Sequence, residues 1–472
     1  NQHNFIRMKE PNTYLEALTY PNSGDWIEAV LKEVKQMIDM NVFELVSEVP
    51  KGKKAISTRF VFKLKLLPDG SIDKYKARLV ARGFSQIPGQ DFDQTYSPAS
   101  NLLTVRLVLS LACIFHCKLY QVDIKGAFLQ SPLKEDLYIQ LPEGFSAFGG
   151  YRYAKLKKSL YGLKQAAHDW YQRQDHFMLK IFGKKYTTMQ RSSMDTTLYI
   201  SNDVKTGELF IAVVHIDDYC VATNSETMFK DWLSMYSSFC TDKGDVEVLS
   251  KPAYQQMLVD YTQTPEVTEI KLHQGRQIDE ALLRFGMSDC KPASTPMEYG
   301  LHLPLDTECD SSLPYRAIIG VLLWIARCTR PDIYFVVIHL AQFSTCATSE
   351  HFTAAKRVLR YLKGSRQLDL RYSTTRSSTT SSGDSIKLDL FTDSDWATDK
   401  SDRKSISGYV LYINGMLVSW SSRKQDGVST SSTESEFISL VEGAKDVLFI
   451  VQLLQEFFVV ELPINVGIDN QG

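Results

Sequence analysis

Three aspartates carry the clearest chemical signal in this sequence. Asp217 and Asp218 interrupt FIAVVHIDDYCVAT, residues 210–223, which is otherwise two apolar runs. A two-residue break between such runs predicts a hairpin, with Phe210 to Ile216 and Tyr219 to Ala222 as strands and Asp217-Asp218 at the tip. Turns that match strand twist favour Asn-Gly or Asp-Gly, so Asp-Asp is a poor choice on geometry alone. In LYQVDIKGAFLQ, a strand running into a helix, Asp123 is expected where the strand ends. If those strands are neighbours, three carboxylates converge, and converging carboxylates repel unless a cation compensates. Oxygen ligands without His or Cys suit Mg²⁺ or Mn²⁺ rather than zinc. Two such ions can activate one oxygen and stabilise a leaving oxygen in phosphoryl transfer. On spacing alone, an exposed acidic turn with an unrelated Asp123 stays open as the alternative.

The elements that must position these groups are legible in outline. The chain has 472 residues, enough for about two to four domains. Its net charge of −2 says nothing about partners, but the distribution of charge does. Residues 51–82 carry Lys51, Lys53, Lys54, Arg59, Lys63, Lys65, Lys74, Lys76, Arg78 and Arg82 against only Asp69 and Asp73. Such a block suits an anionic partner, and a solvated hairpin face is the alternative. Trp26, Ala29, Val30, Val34, Met37 and Ile38 recur at helical spacing in SGDWIEAVLKEVKQMIDM. RFVFKLKLLPDGSIDKYKARLVAR is a basic β-hairpin turning at Pro68-Asp69-Gly70. Residues 103–115 are helical, and a long helix follows Gly162. Residues 286–314 are irregular, and 315–365 return to helix, ending in the basic run KRVLRYLKGSR. STTRSSTTSSGDS, 373–385, has the composition of a flexible linker. Beyond it come a strand, a hairpin with Asn414-Gly415 at its turn, a helix and a final strand.

The eight cysteines lack zinc-ligand spacing and are expected to be reduced core thiols of an intracellular protein. The longest apolar stretch, Leu102 to Phe115, is broken by Arg106 and is too short to cross a membrane. There is no signal peptide. The chain starts at Asn1 without methionine and stops at Gly472, so it is expected to be a piece of something longer.

The order QVDIKGAFL, SLYGLKQAAHDWY, HIDDY resembles the reverse transcriptase of copia-type (Pseudoviridae-like) retrotransposons. GDWIEAVLKEV, KYKARLVARGFSQIPGQDFDQTYSPAS, LYIQLPEGF, YRAIIGVLLWIARCTRPDI and AAKRVLRYLKG resemble further segments of that family, in the right order and over nearly the whole chain. The resemblance implies an α+β right-hand polymerase of fingers, palm and thumb. Asp123, Asp217 and Asp218 would bind two Mg²⁺ (or Mn²⁺) ions. Lys76 and Arg78 would hold the incoming triphosphate. Phe128 would block a ribose 2′-OH, although a buried aromatic at a helix start explains it equally. Gly162 and Lys164, with Gln165 as a lesser candidate, would lie by the nascent base pair and its backbone. Lys356, Arg357, Arg360 and Lys363 present a second basic face for phosphates.

FTDSD, STESEF and IDNQ resemble the three acidic motifs of an RNase H domain, which implies a second two-ion site at Asp393, Glu436 and Asp469. Glu434 competes with Glu436, and Asp395 with Asp393. The implied organisation is an N-terminal extension (1–24), fingers and palm (25–270), thumb and connection helices (271–372), the linker, and an RNase H-like α/β domain (386–472) lacking its C-terminal part and final acidic ligand. Three departures from the family stand out: His215 for an aromatic or aliphatic residue, Gln255-Gln256 for Leu-Gly near the primer grip, and no basic residue in AAHDWY. Strand alternation would put His215 on the face of Asp217. Implied partners are an RNA or DNA template with its primer, deoxynucleoside triphosphates, and other parts of a parent polyprotein such as integrase and capsid, with no membrane. The implied location is a cytoplasmic particle or the nucleus. A decayed or domesticated copy that binds nucleic acid without catalysis is the competing reading.

Overall fold

The computed structural model describes residues 10–66, 72–143, 145, 150–240, 245–249, 253–301, 303, 309–375, 386–396, 403–458 and 464–468. The fold is mixed α and β, with four sheets among the described residues. The chain forms two compact units, one of residues 1–99, 123–187 and 230–247, the other of residues 100–122, 188–229 and 248–472.

The first unit holds a five-stranded sheet in the order Phe43–Val46, Tyr153–Leu156, Tyr138–Gln140, Ala55–Leu66, Ile72–Ala81. The helix Ser23–Asp39 buries Trp26, Val30, Val34 and Met37 of the expected apolar set in the core of that unit, while Ala29 is half-buried and Ile38 is exposed. Its Glu33 is buried too, and one carboxylate oxygen accepts the Leu79 N–H at 3.1 Å on the sheet's last strand. Ala55–Leu66 and Ile72–Ala81 are the two strands of the basic hairpin; its expected Pro68-Asp69-Gly70 turn lies outside the described residues. The helix after Gly162 runs from Ala166 to His176 and continues as a π-helical turn, Phe177–Phe182, around the aromatic cluster of Phe177, Trp232, Tyr236 and Phe239.

The second unit is built on the helix Leu102–Ile114. Every residue from Leu103 to Ile114 is buried, which explains a run that is apolar on all faces. Its core takes in Ile211, Val213, Cys220 and Ala222 of the acidic hairpin, and also Leu388, Leu411, Val418 and Ile450 from the C-terminal part of the chain. Arg106, the one charge in the run, donates from Nη1 to the Val418 carbonyl at 2.9 Å and from Nη2 to the Arg327 carbonyl, and lies over the Trp420 ring at 4.0 Å. No described helix is long and apolar enough to cross a membrane.

The C-terminal sheet runs Met416–Lys424, Ile406–Ile413, Leu388–Asp395, Ile464–Ile468, with only the last pair parallel. The helix Ser432–Gln455 crosses it so closely that a Cβ on Gly443 would come within 2.7 Å of a Leu390 methyl. A separate core gathers the helices Gly275–Arg284, Tyr315–Cys328, Tyr334–Ala341 and Ser349–Gly364.

Four expectations change. The acidic turn is Ile216-Asp217, because His215 pairs with Asp218, which begins the second strand. Cys309 and Cys346 form a disulfide, with Cα atoms 4.9 Å apart beside a backbone bond from Asp310 N–H to the Ala347 carbonyl. Cys240 and Cys290 are only partly buried. The segment 271–372 is not all helix, since its ends lie in Val267–His273 and Leu370–Thr375, which pair with each other. Ser373, Thr374 and Thr375 thus belong to a strand rather than a linker, and residues 376–385 lie outside the described residues.

Replacing Arg106 by Ala removes two charge-assisted hydrogen bonds and leaves two carbonyls buried, so it should cost roughly 2–4 kcal/mol. The readout is the urea unfolding midpoint, and an unchanged midpoint would show that this link does not hold the second unit together.

Candidate functional site

The acidic hairpin places its charges by exclusion. Every residue from Leu209 to Val214 and from Tyr219 to Thr223 is buried, so this strand pair can be polar only at its tip. There Ile216 takes φ 60°, a left-handed conformation strained for a β-branched side chain. The neighbouring strand in the six-stranded sheet is Lys118–Ile124, and Asp123 is its next-to-last residue. Its buried Gln121 donates to the Asp218 carboxylate at 3.3 Å and to the Ala253 carbonyl at 3.2 Å. Gln121 was not singled out from the sequence; its place two residues before Asp123 was the available signal.

His215, directly opposite Asp218 in the pairing, is half-buried. The strand ends at His215, so alternation does not carry its face on to Asp217. Burial lowers its pKa, opposed by the Asp217 charge. The donor set of Asp123, Asp217 and Asp218 is all carboxylate, which fits Mg²⁺ or Mn²⁺. Among the described residues no three His, Cys, Asp or Glu side chains are gathered as a metal site.

The nucleotide-site candidates fall in the first unit. The basic hairpin sets Lys63 opposite Lys76 and Lys65 opposite Lys74, with Arg78 opposite Val61 on the same face. Like charges directly opposite destabilise a sheet, so this face favours an anion. Glu10 engages one of them, Lys63, at 2.9 Å. Burial, then Arg78, Lys65 and Lys74, hold the Lys76 pKa below its ordinary value.

Tyr161 joins the other candidates. The Arg78 guanidinium lies over its ring at 5.2 Å, and the Phe128 ring centroid is 5.3 Å away. Its carbonyl accepts the Ala81 N–H at 2.8 Å. Next to it Gly162 takes φ 86°, and a Cβ there would lie 2.2 Å from the Ala81 carbonyl oxygen. The Lys164 N–H donates to Gln86 at 2.8 Å. Gln165 is buried and spent on internal bonds, to the Asp91 carbonyl at 3.0 Å and with Gln86 at 3.1 Å. It braces the loop rather than facing outward. Tyr161 lay inside the quoted SLYGLKQ motif, but Gln86 had no signal of its own.

The cations in the basic run of the helix Ser349–Gly364 have contacts within the chain. Arg360 donates to the Lys291 carbonyl, Lys363 to the carbonyls of Ser288 and Cys290, and Arg357 to Glu298 and Thr295. Lys356 lies over Phe352 at 4.4 Å. These cations fasten the irregular segment that precedes the helices.

The acids of the C-terminal sheet separate by role. Glu434 accepts from Thr430 N–H and hydroxyl and serves the helix cap, and Asp395 accepts the Ile406 N–H. Glu436 is buried, with Oε1 accepting the Ser394 N–H at 3.3 Å and Oε2 without a partner among the described residues. Asp393 is exposed and lines a groove of about 430 Å³ with Phe391, Tyr334, Phe335 and Trp420. Asp469 lies outside the described residues.

Residues 40–299 match the model of the family described as reverse transcriptase (RNA-dependent DNA polymerase). The chain belongs to this family. Residues 40–299 of this reverse transcriptase include every polymerase-site candidate above. Relatives include the retrovirus-related Pol polyproteins from transposon TNT 1-94 of Nicotiana tabacum, 32% identical, and from transposon RE1 of Arabidopsis thaliana, 33% identical, each over 98% of this chain. A third, from transposon RE2 of Arabidopsis thaliana, is 31% identical over 98% of the chain. These matches, to transposon Pol proteins of the copia type, make it a copia-type reverse transcriptase. The chain spans about a third of the length of these curated relatives, with coverage of 34%, 30% and 30%.

Gly162→Ala should destabilise the first unit by about 3 kcal/mol or more, because neither the φ nor the Ala81 carbonyl tolerates a Cβ. Thermal unfolding is the measurement, and an unchanged melting temperature would mean that the loop at Gly162 is free to move aside.

Proposed function

We propose that this chain is an RNA-directed DNA polymerase that adds deoxynucleotides to a primer on an RNA or DNA template. One observation carries the reading. A strand pair buried from Leu209 to Val214 and from Tyr219 to Thr223 turns at Asp217 and Asp218, beside a strand whose next-to-last residue is Asp123, in a chain of the reverse transcriptase family. Asp123, Asp217 and Asp218 would hold two divalent ions, which when bound activate the primer 3′-hydroxyl and neutralise charge on the leaving pyrophosphate. Lys76 and Arg78 bind the triphosphate, since basic donors must meet charge that moves onto the leaving group. Phe128, braced by Tyr161, stands against the sugar and excludes a 2′-hydroxyl. Gly162 allows the close backbone approach that the nascent pair needs, and Lys164 lies beside its backbone. In hand terms the basic hairpin is fingers, the acidic hairpin palm, and the helices 275–364 thumb.

The C-terminal sheet is read as RNase H-like, with Asp393, Glu436 and Asp469 as its acids. The buried Glu436 oxygen that has no partner among the described residues supports that reading, because an unsatisfied carboxylate oxygen is costly without a ligand. The names of the relatives support a polyprotein context; integrase and capsid as companions, and a cytoplasmic particle or the nucleus as location, belong to the proposal.

The test is extension of a DNA primer on an RNA template with Mg²⁺. The wild-type chain should extend it, and Asp217→Asn should lower the rate by about a thousandfold or more with the fold retained. Template-dependent extension at the wild-type rate by Asp217→Asn would refute the assignment.

A further inference from the structure

The residue before the strained turn is held by a polar clamp that the polymerase reading does not use. The Gln255 side-chain amide donates to the Ser100 hydroxyl oxygen at 2.6 Å and lies 3.2 Å from His215 Nδ1. The Ser100 hydroxyl is 3.0 Å from the same nitrogen, and the Tyr254 hydroxyl reaches Ser100 at 3.4 Å. The Tyr254 ring stands edge-on to the imidazole, 6.5 Å between centroids. Ser100 precedes the helix Leu102–Ile114, so three elements meet at the His215 ring.

The backbone under Gln255 makes the clamp more than a chance contact. Tyr254 pairs with Met257, so Gln255-Gln256 is a two-residue hairpin turn, with φ of 48° and 66°. Two left-handed positions in a row favour glycine or asparagine. Glutamine at 255 is a poor choice for the backbone, and its return is a side chain long enough to reach Ser100 and His215. The same turn is tied a second time to the acidic hairpin, because Gln121 bonds the Ala253 backbone as well as Asp218.

We infer that Ser100 and Gln255 are positioning residues, which clamp His215 and thereby fix the Ile216-Asp217 turn that aims the catalytic carboxylates. The inference rests on the polymerase reading of that turn. Strain at Ile216 persists only where neighbours over-determine it, and the clamp is the neighbour on its N-terminal side. Without it the turn relaxes and Asp217 is held in its working position a smaller fraction of the time. The rate should then fall while nucleotide affinity, which the proposed function assigns to Lys76 and Arg78, stays.

Gln255→Gly is the discriminating variant. Glycine suits φ 48° better than glutamine, so the backbone is eased while the side chain is removed. A merely structural Gln255 predicts an equal or higher melting temperature and an unchanged rate. A positioning Gln255 predicts that same melting temperature with kcat for primer extension about tenfold lower, KM for deoxynucleotide within twofold, and a higher Mg²⁺ concentration for half-maximal rate. His215→Phe should lose a similar factor, and the double variant should be no slower than either single one, because all break one clamp. An active wild type with an equally active Gln255→Gly, or losses that multiply in the double variant, overturns this inference alone. A wild type that extends no primer overturns it together with the polymerase reading.

Discussion

The second unit depends on one constraint: the acidic hairpin is buried on both faces. A strand pair with no solvent-facing side can carry charge only where it ends. Asp217 and Asp218 lie at such an end, in and beside the turn that joins the two strands. The same constraint demands a cover, which the wholly buried helix Leu102–Ile114 provides on one face. That helix in turn must be covered, and Arg106 binds it to carbonyls of the C-terminal sheet and the helix Tyr315–Cys328. Burial at the centre thus propagates outward until a large part of the chain is committed to holding one turn.

The first unit solves a different electrostatic problem. Its basic hairpin opposes lysine to lysine across a strand pair, an arrangement that stability alone would not select. Burial and like charges lower the Lys76 pKa, and the buried Glu33 nearby is raised by burial while Lys76, Arg78 and the Leu79 N–H oppose the rise. A polyanion would relieve this face.

What the sequence made legible followed periodicity and local chemistry. The amphipathic helix Ser23–Asp39, the Asn414-Gly415 hairpin and the buried helix Leu102–Ile114 all carry their pattern within a short window. The exact turn of the acidic hairpin did not, because register depends on which residues pair, and His215 opposite Asp218 moves the turn back by one residue. The basic run at Lys356, Arg357, Arg360 and Lys363 looked like a phosphate face since charge shows in a sequence and its partners do not. The partners of Arg357, Arg360 and Lys363 are carbonyls, one acid and one hydroxyl some 59 to 75 residues away, while Lys356 lies over Phe352 on its own helix. The pairing of Cys309 with Cys346, the bracing by Gln86 and Gln121, and the stacking role of Tyr161 are likewise products of tertiary structure, where a single residue bears no mark of its neighbour.

The central claim is that the turn at Asp217 and Asp218 is a divalent-cation site served by the rest of the molecule. The direct measurement is paramagnetic resonance of Mn²⁺ titrated into the chain bound to an RNA–DNA primer–template and a deoxynucleotide that cannot be incorporated. Comparison with a variant carrying Asp217→Asn and Asp218→Asn isolates this site from the acids of the C-terminal sheet. The account predicts tightly bound Mn²⁺ in the wild type and loss of that population in the variant. Identical binding in the two proteins would contradict it.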